Sequence, residues 1–276
     1  MKKIGIYLSV LLLFALTFSL NAEPKAAQDS LVNAPELAVN DASFAQPDLS
    51  KAAADSAYVR EDYAEAISIY EALLEKGVSA EVYYNLGNSY YKSDNIAKAI
   101  LNYERAVLLS PNNKDYKANL AIASAKKVDK DEEVSELFFI SWGKAMINWM
   151  SSDQWAVSSI VLFIVFLVSL GLFFLTKQVL IKKVGFFVAL LTLLAVPITT
   201  YCASYQKNRV SQRNTAIVME PSITVRSTPT ESGTSLFVLH EGKKVKIKDN
   251  SMKSWKEIEL ENGEVGWLPA ESIEII

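Results

Sequence analysis

The chain has 276 residues, one cysteine and a formal net charge of −3. This length permits one to three small units, and a lone cysteine, Cys202, excludes an intrachain disulfide. The nearly balanced charge gives no indication of a nucleic-acid partner. Half of the residues are hydrophobic, and they are concentrated in three blocks, so we expect soluble segments joined by apolar ones.

The first 22 residues have the layout of a secretory signal peptide. Two lysines precede an uncharged apolar block that ends at Ala22, which is the order of regions in an exported precursor. We expect cleavage after Ala22. Because Leu20 is larger than the residue usual at its position, a retained anchor helix is the alternative. Both interpretations export the chain from residue 23, and residues 23–45 are interpreted as a flexible linker.

Residues 80–113 carry a 34-residue repeat pattern. Small residues stand where two helices would cross closely, aromatic residues surround the crossing, and a proline ends the second helix. The unit is similar to a tetratricopeptide repeat (TPR) at all eight signature positions, which are Tyr83, Leu86, Gly87, Tyr90, Ala99, Tyr103, Ala106 and Pro111. We therefore predict a pair of antiparallel helices here.

A weaker copy precedes this unit, and a partial copy follows it. The first is one residue out of period and the second lacks a second helix, so the TPR array over residues 46–130 holds about two and a half repeats. Such repeats bury their faces by stacking, and about three are needed for stability. We expect the array to be marginal alone, or supported by a partner or by its own membrane region.

The resemblance implies that partners bind on the concave face formed by the first helix of each repeat. The exposed first-helix residues are Glu81, Tyr84, Asn88, Tyr91, Lys92, Asn119 and Lys126. Asn88 and Asn119 match the two asparagines that hold a peptide in the carboxylate-clamp subclass, but Tyr84 stands where that subclass has a lysine. An ordinary solvated helix face is the alternative to a peptide pocket.

Two uncharged stretches, residues 154–176 and 184–206, are each long enough to cross a bilayer. A hydrocarbon core of about 30 Å needs about 20 helical residues. The short connector, residues 177–183, predicts a helical hairpin. Basic residues are equally numerous at the two ends of the hairpin, so they leave its orientation undecided. Export of the N-terminus predicts a cytoplasmic connector and periplasmic soluble regions on both sides of the hairpin.

Residues 134–153 precede the first apolar stretch and have one strongly apolar helical face. Trp142, Trp149 and Trp155 belong to the residue type that prefers the headgroup layer. We interpret this segment as an amphipathic helix on the outer leaflet. A third-repeat helix packed on the solenoid is the alternative.

Residues 209–276 contain short β-rich runs separated by turn residues. They resemble the bacterial SH3-like domain (SH3b), a small barrel that commonly binds cell-wall peptides or proteins, in the order of Val225-Arg226-Ser227, Pro229, Leu239, Gly242, Trp255, Gly263 and Gly266-Trp267-Leu268-Pro269. Trp255 and Trp267 form a candidate binding groove, or else the core and rim of the barrel. We expect His240, the single histidine, in an exposed turn.

No enzymatic constellation is present in the sequence. It has no nucleophile elbow, phosphate-cradling glycine loop or paired metal-ligating histidines or cysteines. One histidine and one cysteine supply too few groups for most metal and covalent mechanisms. We therefore expect a non-enzymatic protein with no cofactor and no metal.

The whole arrangement resembles the Bacteroides aerotolerance E (BatE) family in its order of signal peptide, TPRs, helical hairpin and SH3-like domain. The fold class is thus a multi-domain membrane protein with an all-α TPR solenoid, a two-helix transmembrane hairpin and a small all-β SH3-like barrel. The resemblance implies an inner-membrane complex with von Willebrand A-domain membrane proteins and a MoxR-type ATPase, acting in oxidative or envelope stress tolerance. The rival hypothesis is that the protein is a cell-wall tether or sensor whose SH3-like domain binds peptidoglycan.

Overall fold

The computed structural model describes residues 49–130 and 137–276. The predicted signal peptide, the predicted linker and residues 131–136 lie outside the described residues. The described helices are α1 (Lys51–Val59), α2 (Tyr63–Lys76), α3 (Ala80–Lys92), α4 (Ile96–Leu109), α5 (Lys114–Ser124), α6 (Phe138–Ile147), α7 (Ser152–Leu175) and α8 (Val179–Gln212). The strands are β1 (Thr215–Val218), β2 (Ser222–Arg226), β3 (Ser235–His240), β4 (Lys244–Asp249), β5 (Trp255–Glu259), β6 (Val265–Pro269) and β7 (Ile273–Ile275).

Helices α1 to α5 form the repeat region, as two helix pairs and one further helix. Four of the five helices are preceded by a polar residue whose side chain accepts a hydrogen bond from a backbone N–H of the first turn. These capping residues are Ser50, Asp62, Asn95 and Asn113. The turns inside both pairs contain one residue with positive φ, Glu61 in the first and Asp94 in the second. The two pairs thus have turns of the same length and conformation, and the one-residue offset between them falls in the link between α2 and α3.

The repeat core depends on small residues at the helix crossings. Ala54, Ala66 and Ala99 are fully buried. Gly87 of α3 lies against the ring of Tyr103 in α4, and a Cβ built on Gly87 would stand 2.7 Å from the Cδ1 atom of that tyrosine. The helices therefore approach each other more closely than any larger residue at position 87 permits.

Helices α7 and α8 are long and apolar enough to span a membrane. They pack against each other along small residues, since a Cβ on Gly185 would lie 2.9 Å from the carbonyl oxygen of Ser169, and the hydroxyls of Ser159 and Thr200 are 2.8 Å apart. Helix α8 extends six residues beyond the predicted end of the second apolar stretch. It begins at Val179, so the link between the two helices is shorter than the predicted connector.

The seven strands form one antiparallel sheet in the order β3-β2-β6-β5-β4-β1-β7. One face carries the core of the sheet, which includes Val225, Leu239, Ile258 and Leu268. The sequence predicted a closed barrel. The structure has an open sheet, because β3 pairs only with β2 and β7 only with β1, and no ladder joins β3 to β7.

The C-terminal sheet packs against the repeats. Alternation along β1 directs Ala216 and Val218 into the sheet core, whereas Ile217 joins the hydrophobic cluster of the repeats. Ile217 is completely buried there, and Ile276 is nearly so. Residues of the C-terminal segment thus extend the hydrophobic cluster of the repeats. Support of the array by the membrane region or by a partner stays a prediction.

Candidate partner-binding surfaces

The first helices of the repeats, α1, α3 and α5, line a small concave groove. Its cavity has a volume of about 180 Å³ and is lined by Tyr58, Asn88, Tyr91, Lys92, Tyr103, Asn119 and Ile122. Aromatic and aliphatic side chains supply most of the wall, and amide and ammonium groups are interspersed among them. A cavity of this size and lining suits a single side chain of a bound peptide.

A hydrogen-bonded network joins the polar residues of the groove. Asn119 Nδ2 donates to Tyr84 Oη at 2.9 Å and to Asn88 Oδ1 at 3.0 Å, and Tyr103 Oη donates to the same Asn88 oxygen at 2.7 Å. The Tyr84 ring also stacks on Tyr116 with centroids 4.6 Å apart. The two asparagines that match a carboxylate clamp are therefore bonded to each other, and they hold α3 and α5 together at the groove floor.

The charged residues of the groove differ between its two ends. At one end Lys51 pairs with both Asp55, at 2.7 Å, and Glu81, at 3.0 Å. At the other end Lys126 Nζ lies 4.3 Å from the centroid of the Tyr91 ring and 3.8 Å from Asp94 Oδ1, and Lys92 makes no ion pair with any residue in the described ranges. The exposed Lys92 is thus the cation of this end that an anionic group of a partner can reach.

Three buried tyrosines of the repeats keep their protons. Burial raises the pKa of the Tyr70, Tyr90 and Tyr103 hydroxyls well above their usual value, and hydrogen bonds to Asp55 and Glu71 add to this for Tyr70 and Tyr90. Burial also raises the pKa of the Asp55 carboxyl, but hydrogen bonds from Lys51 and Tyr70 outweigh it and lower that pKa below its usual value. These groups therefore stabilise the helix packing as neutral donors and ionised acceptors.

Trp255 and Trp267 share the face of the sheet opposite its core. In the β5–β6 register Trp267 stands opposite Glu257 and Trp255 opposite Pro269, so the two indoles are diagonal neighbours. Arg226 of β2 is the other cross-strand neighbour of Trp267. Both tryptophans are half-buried, which leaves part of each ring accessible to a partner.

His240 does not lie in an exposed turn as predicted. It is the last residue of β3, where Asp129 accepts a hydrogen bond from its backbone N–H at 2.7 Å and lies 2.9 Å from Nδ1 of its ring. Asp129 follows the last repeat helix, and the two residues are 111 positions apart. The histidine therefore joins the repeats to the sheet.

Four charged residues complete the contact between α4 and the sheet, and sequence reasoning did not single them out. Lys244 Nζ lies 2.7 Å from Glu104 Oε2, and Arg105 Nη2 lies 3.1 Å from Glu274 Oε1. Arg105 also donates to the carbonyl oxygen of Ile275. No local pattern identifies such pairs, because their members are 140 and 169 positions apart.

The Tetratricopeptide repeat family matches residues 80–113 of the chain. No curated protein matches the sequence. Repeats of this family are typically non-catalytic interaction modules, so the match indicates protein partners. Within the described residues, no three His, Cys, Asp or Glu side chains are grouped so that they could hold a metal ion.

Proposed function

We propose that this protein is a membrane-anchored, non-enzymatic adaptor that binds envelope proteins through its TPR groove and its C-terminal SH3-like region. The observation that carries the proposal is the groove itself, where the exposed Lys92 stands beside an aromatic cavity. The fold and order of the segments support a role like that of BatE proteins. The partners would then be von Willebrand A-domain membrane proteins of an aerotolerance complex.

The packing of the repeats on the sheet supports one side of the membrane for both soluble regions. The repeats precede the α7–α8 hairpin and the sheet follows it, yet Lys244 contacts Glu104. Two segments separated by a two-pass hairpin can touch only if both passes return the chain to the same side. With an exported N-terminus, this side is the periplasm. An alkaline phosphatase fusion after residue 276 should be active, and one at residue 180 should be inactive.

Binding through the groove is tested by reversing its exposed cation. The full-length protein in detergent should retain von Willebrand A-domain membrane proteins from the same cells, and Lys92→Glu together with Ile122→Glu should abolish retention. Both residues are exposed, so the substitutions leave the repeat core intact. Lys76→Glu, at the exposed end of α2, is the matched control and should bind normally. Equal retention by all three proteins would refute binding in the groove.

The second candidate function is a cell-wall tether, and the paired tryptophans on the sheet favour it. Partly exposed indoles on one face are suited to stack on sugars or peptides. Full-length protein should then co-sediment with isolated sacculi, and Trp255→Ala with Trp267→Ala should remove it from the pellet. Co-sedimentation that survives these substitutions, or none at all, would reject the tether.

A further inference from the structure

Helix α6 exposes an unusual amount of apolar surface for its length. Seven of its ten residues are apolar or aromatic, and none of the ten is buried. The other three are Ser141, Gly143 and Lys144. Phe138 is 84% exposed and Trp142 is 73% exposed. A helix that is apolar nearly all round is stable only when an apolar environment covers it.

Hydrogen bonds fix the end of α6 to both apolar helices. Trp155 of α7 donates from Nε1 to the carbonyl oxygen of Ile147 at 2.9 Å, and Gln206 of α8 donates from Nε2 to the same oxygen at 3.0 Å. Gln206 is only 2% exposed. The last carbonyl of α6, which has no partner inside its own helix, is therefore held by one side chain from each helix of the hairpin.

These bonds set the position of α6 along the hairpin. Trp155 lies in the first turn of α7, and Gln206 is the last residue before the charged end of α8. One turn further on, Arg209 Nη1 donates to Asn148 Oδ1 at 2.9 Å. The end of α6 thus lies where the apolar surface of the hairpin gives way to charged side chains, which in a bilayer is the headgroup layer.

We propose that α6 is a lipid-binding surface, and that acyl chains and headgroups of the membrane that holds α7 and α8 cover its apolar side chains. This rests on the proposed membrane anchor. Continuity with the apolar surface of the hairpin favours lipid over a protein partner, and exposed tryptophans suit the membrane interface. Trp155 and Gln206 are positioning residues, because they hold α6 at the level where lipid can reach it.

Spin labels on the full-length protein in liposomes of phosphatidylcholine and phosphatidylglycerol test this proposal. In a Cys202→Ala background, one cysteine replaces Phe138 on α6, Phe163 on α7 or Val59 on α1, all of which are exposed. The accessibility of each label to oxygen, which enters lipid, is compared with its accessibility to a water-soluble nickel chelate. We expect the oxygen-to-nickel ratio at position 138 to be several-fold above that at 59 and closer to that at 163.

The outcomes separate the two proposals. If the label at 163 is in lipid and the label at 138 is in water, the lipid surface is wrong and the anchor stands. If 163 is also in water, the anchor fails and the lipid surface with it. A label at 138 that neither reagent reaches would mean that protein covers α6, which also overturns the proposal.

A second variant tests the positioning residues. Gln206→Leu with Trp155→Phe removes both donors to Ile147 while it keeps two large side chains. We expect the oxygen-to-nickel ratio at 138 to fall several-fold, with the ratio at 163 unchanged. An unchanged ratio at 138 would show that α6 reaches lipid without these hydrogen bonds, and that their positioning role is wrong.

Discussion

Lys244 on β4 and Glu104 on α4 form an ion pair of 2.7 Å across the contact between the sheet and the repeats. Lys244 and Glu274 are both cross-strand neighbours of Ile217, and Glu274 pairs with Arg105, the residue after Glu104. A basic and an acidic residue on the sheet thus face an acidic and a basic residue on α4. This alternation, with a buried isoleucine between the pairs, favours the observed register of the sheet on the helix, because a shifted register would oppose like charges.

Charge reversal across the Glu104–Lys244 pair should be destabilising singly and compensating in combination. The Glu104 side chain is 17% exposed and that of Lys244 is 38% exposed, so we expect each of Glu104→Lys and Lys244→Glu to lower the free energy of unfolding by about 1–2 kcal/mol. The double reversal should recover most of this loss. Urea unfolding in detergent, followed by circular dichroism, measures the free energy of unfolding of the full-length wild type, the two single variants and the double variant. Losses that simply add in the double variant would show that the two side chains do not interact.

Truncation of Ile217 should loosen the repeats as well as the sheet. Ile217→Ala removes a fully buried side chain that packs in the repeat cluster, and we expect a loss of about 2–5 kcal/mol. Amide hydrogen exchange should accelerate in α4 and in β1. Ile258→Ala, an equal truncation inside the sheet core, is the control and should accelerate exchange chiefly in β5 and β6. The same exchange pattern in both variants would contradict a direct contact of Ile217 with the repeats.

Gly87→Ala should destabilise the second repeat. The added methyl group would stand 2.7 Å from a ring atom of Tyr103, and we expect overpacking to cost about 1–3 kcal/mol, against about 1 kcal/mol of improved helix propensity. Gly77→Ala is the control, because nothing lies within 4 Å of its added methyl group. Thermal unfolding should shift downward for Gly87→Ala alone. An unchanged or higher midpoint for Gly87→Ala would show that the two helices can separate to admit the methyl group.

The elements that were predictable from the sequence are those with a local signal. The spacing of small and aromatic residues indicated the α3–α4 pair, and uninterrupted apolar runs indicated α7 and α8. Both signals depend only on residues that are close together in the sequence. Strand existence followed from alternation in the same way. Helix ends were less accurate, since α8 continues through polar residues to Gln212 without a breaker.

The features that could not be predicted depend on residues far apart in the chain. His240 was expected in an exposed turn because it precedes Glu241 and Gly242, whereas its partner Asp129 stands 111 positions away. Barrel closure was expected from the order of strand motifs. Closure requires hydrogen bonds between the two edge strands, β3 and β7, and the sequence of a single strand does not determine whether this pairing forms. Asn88 and Asn119 were identified by position, and only the packing of α3 on α5 showed that they bond to each other.

The buried tyrosines of the repeats predict a loss of stability in alkali. In an unfolded chain tyrosine titrates near a pKa of about 10, whereas burial raises the pKa of Tyr70, Tyr90 and Tyr103 in the folded repeats. Above pH 10 the unfolded chain therefore holds fewer protons than the folded one, so the stabilisation is complete below this pH and is lost as the pH rises further. Lys51, whose pKa is raised by hydrogen bonds to Asp55 and Glu81, acts in the same direction.

Absorbance at the phenolate band and circular dichroism, recorded together on the full-length protein, measure this effect. The last tyrosines should ionise only as the helical signal is lost. Each proton retained in the folded state contributes about 1.4 kcal/mol per pH unit to the decline, so Tyr70→Phe should make the dependence of unfolding free energy on pH shallower by this amount. Ile69→Val is the control, because it trims a buried side chain of the same helix and removes no titrating group, and it should leave the slope unchanged. Ionisation of all the tyrosines before any helix is lost would contradict burial of the three hydroxyls.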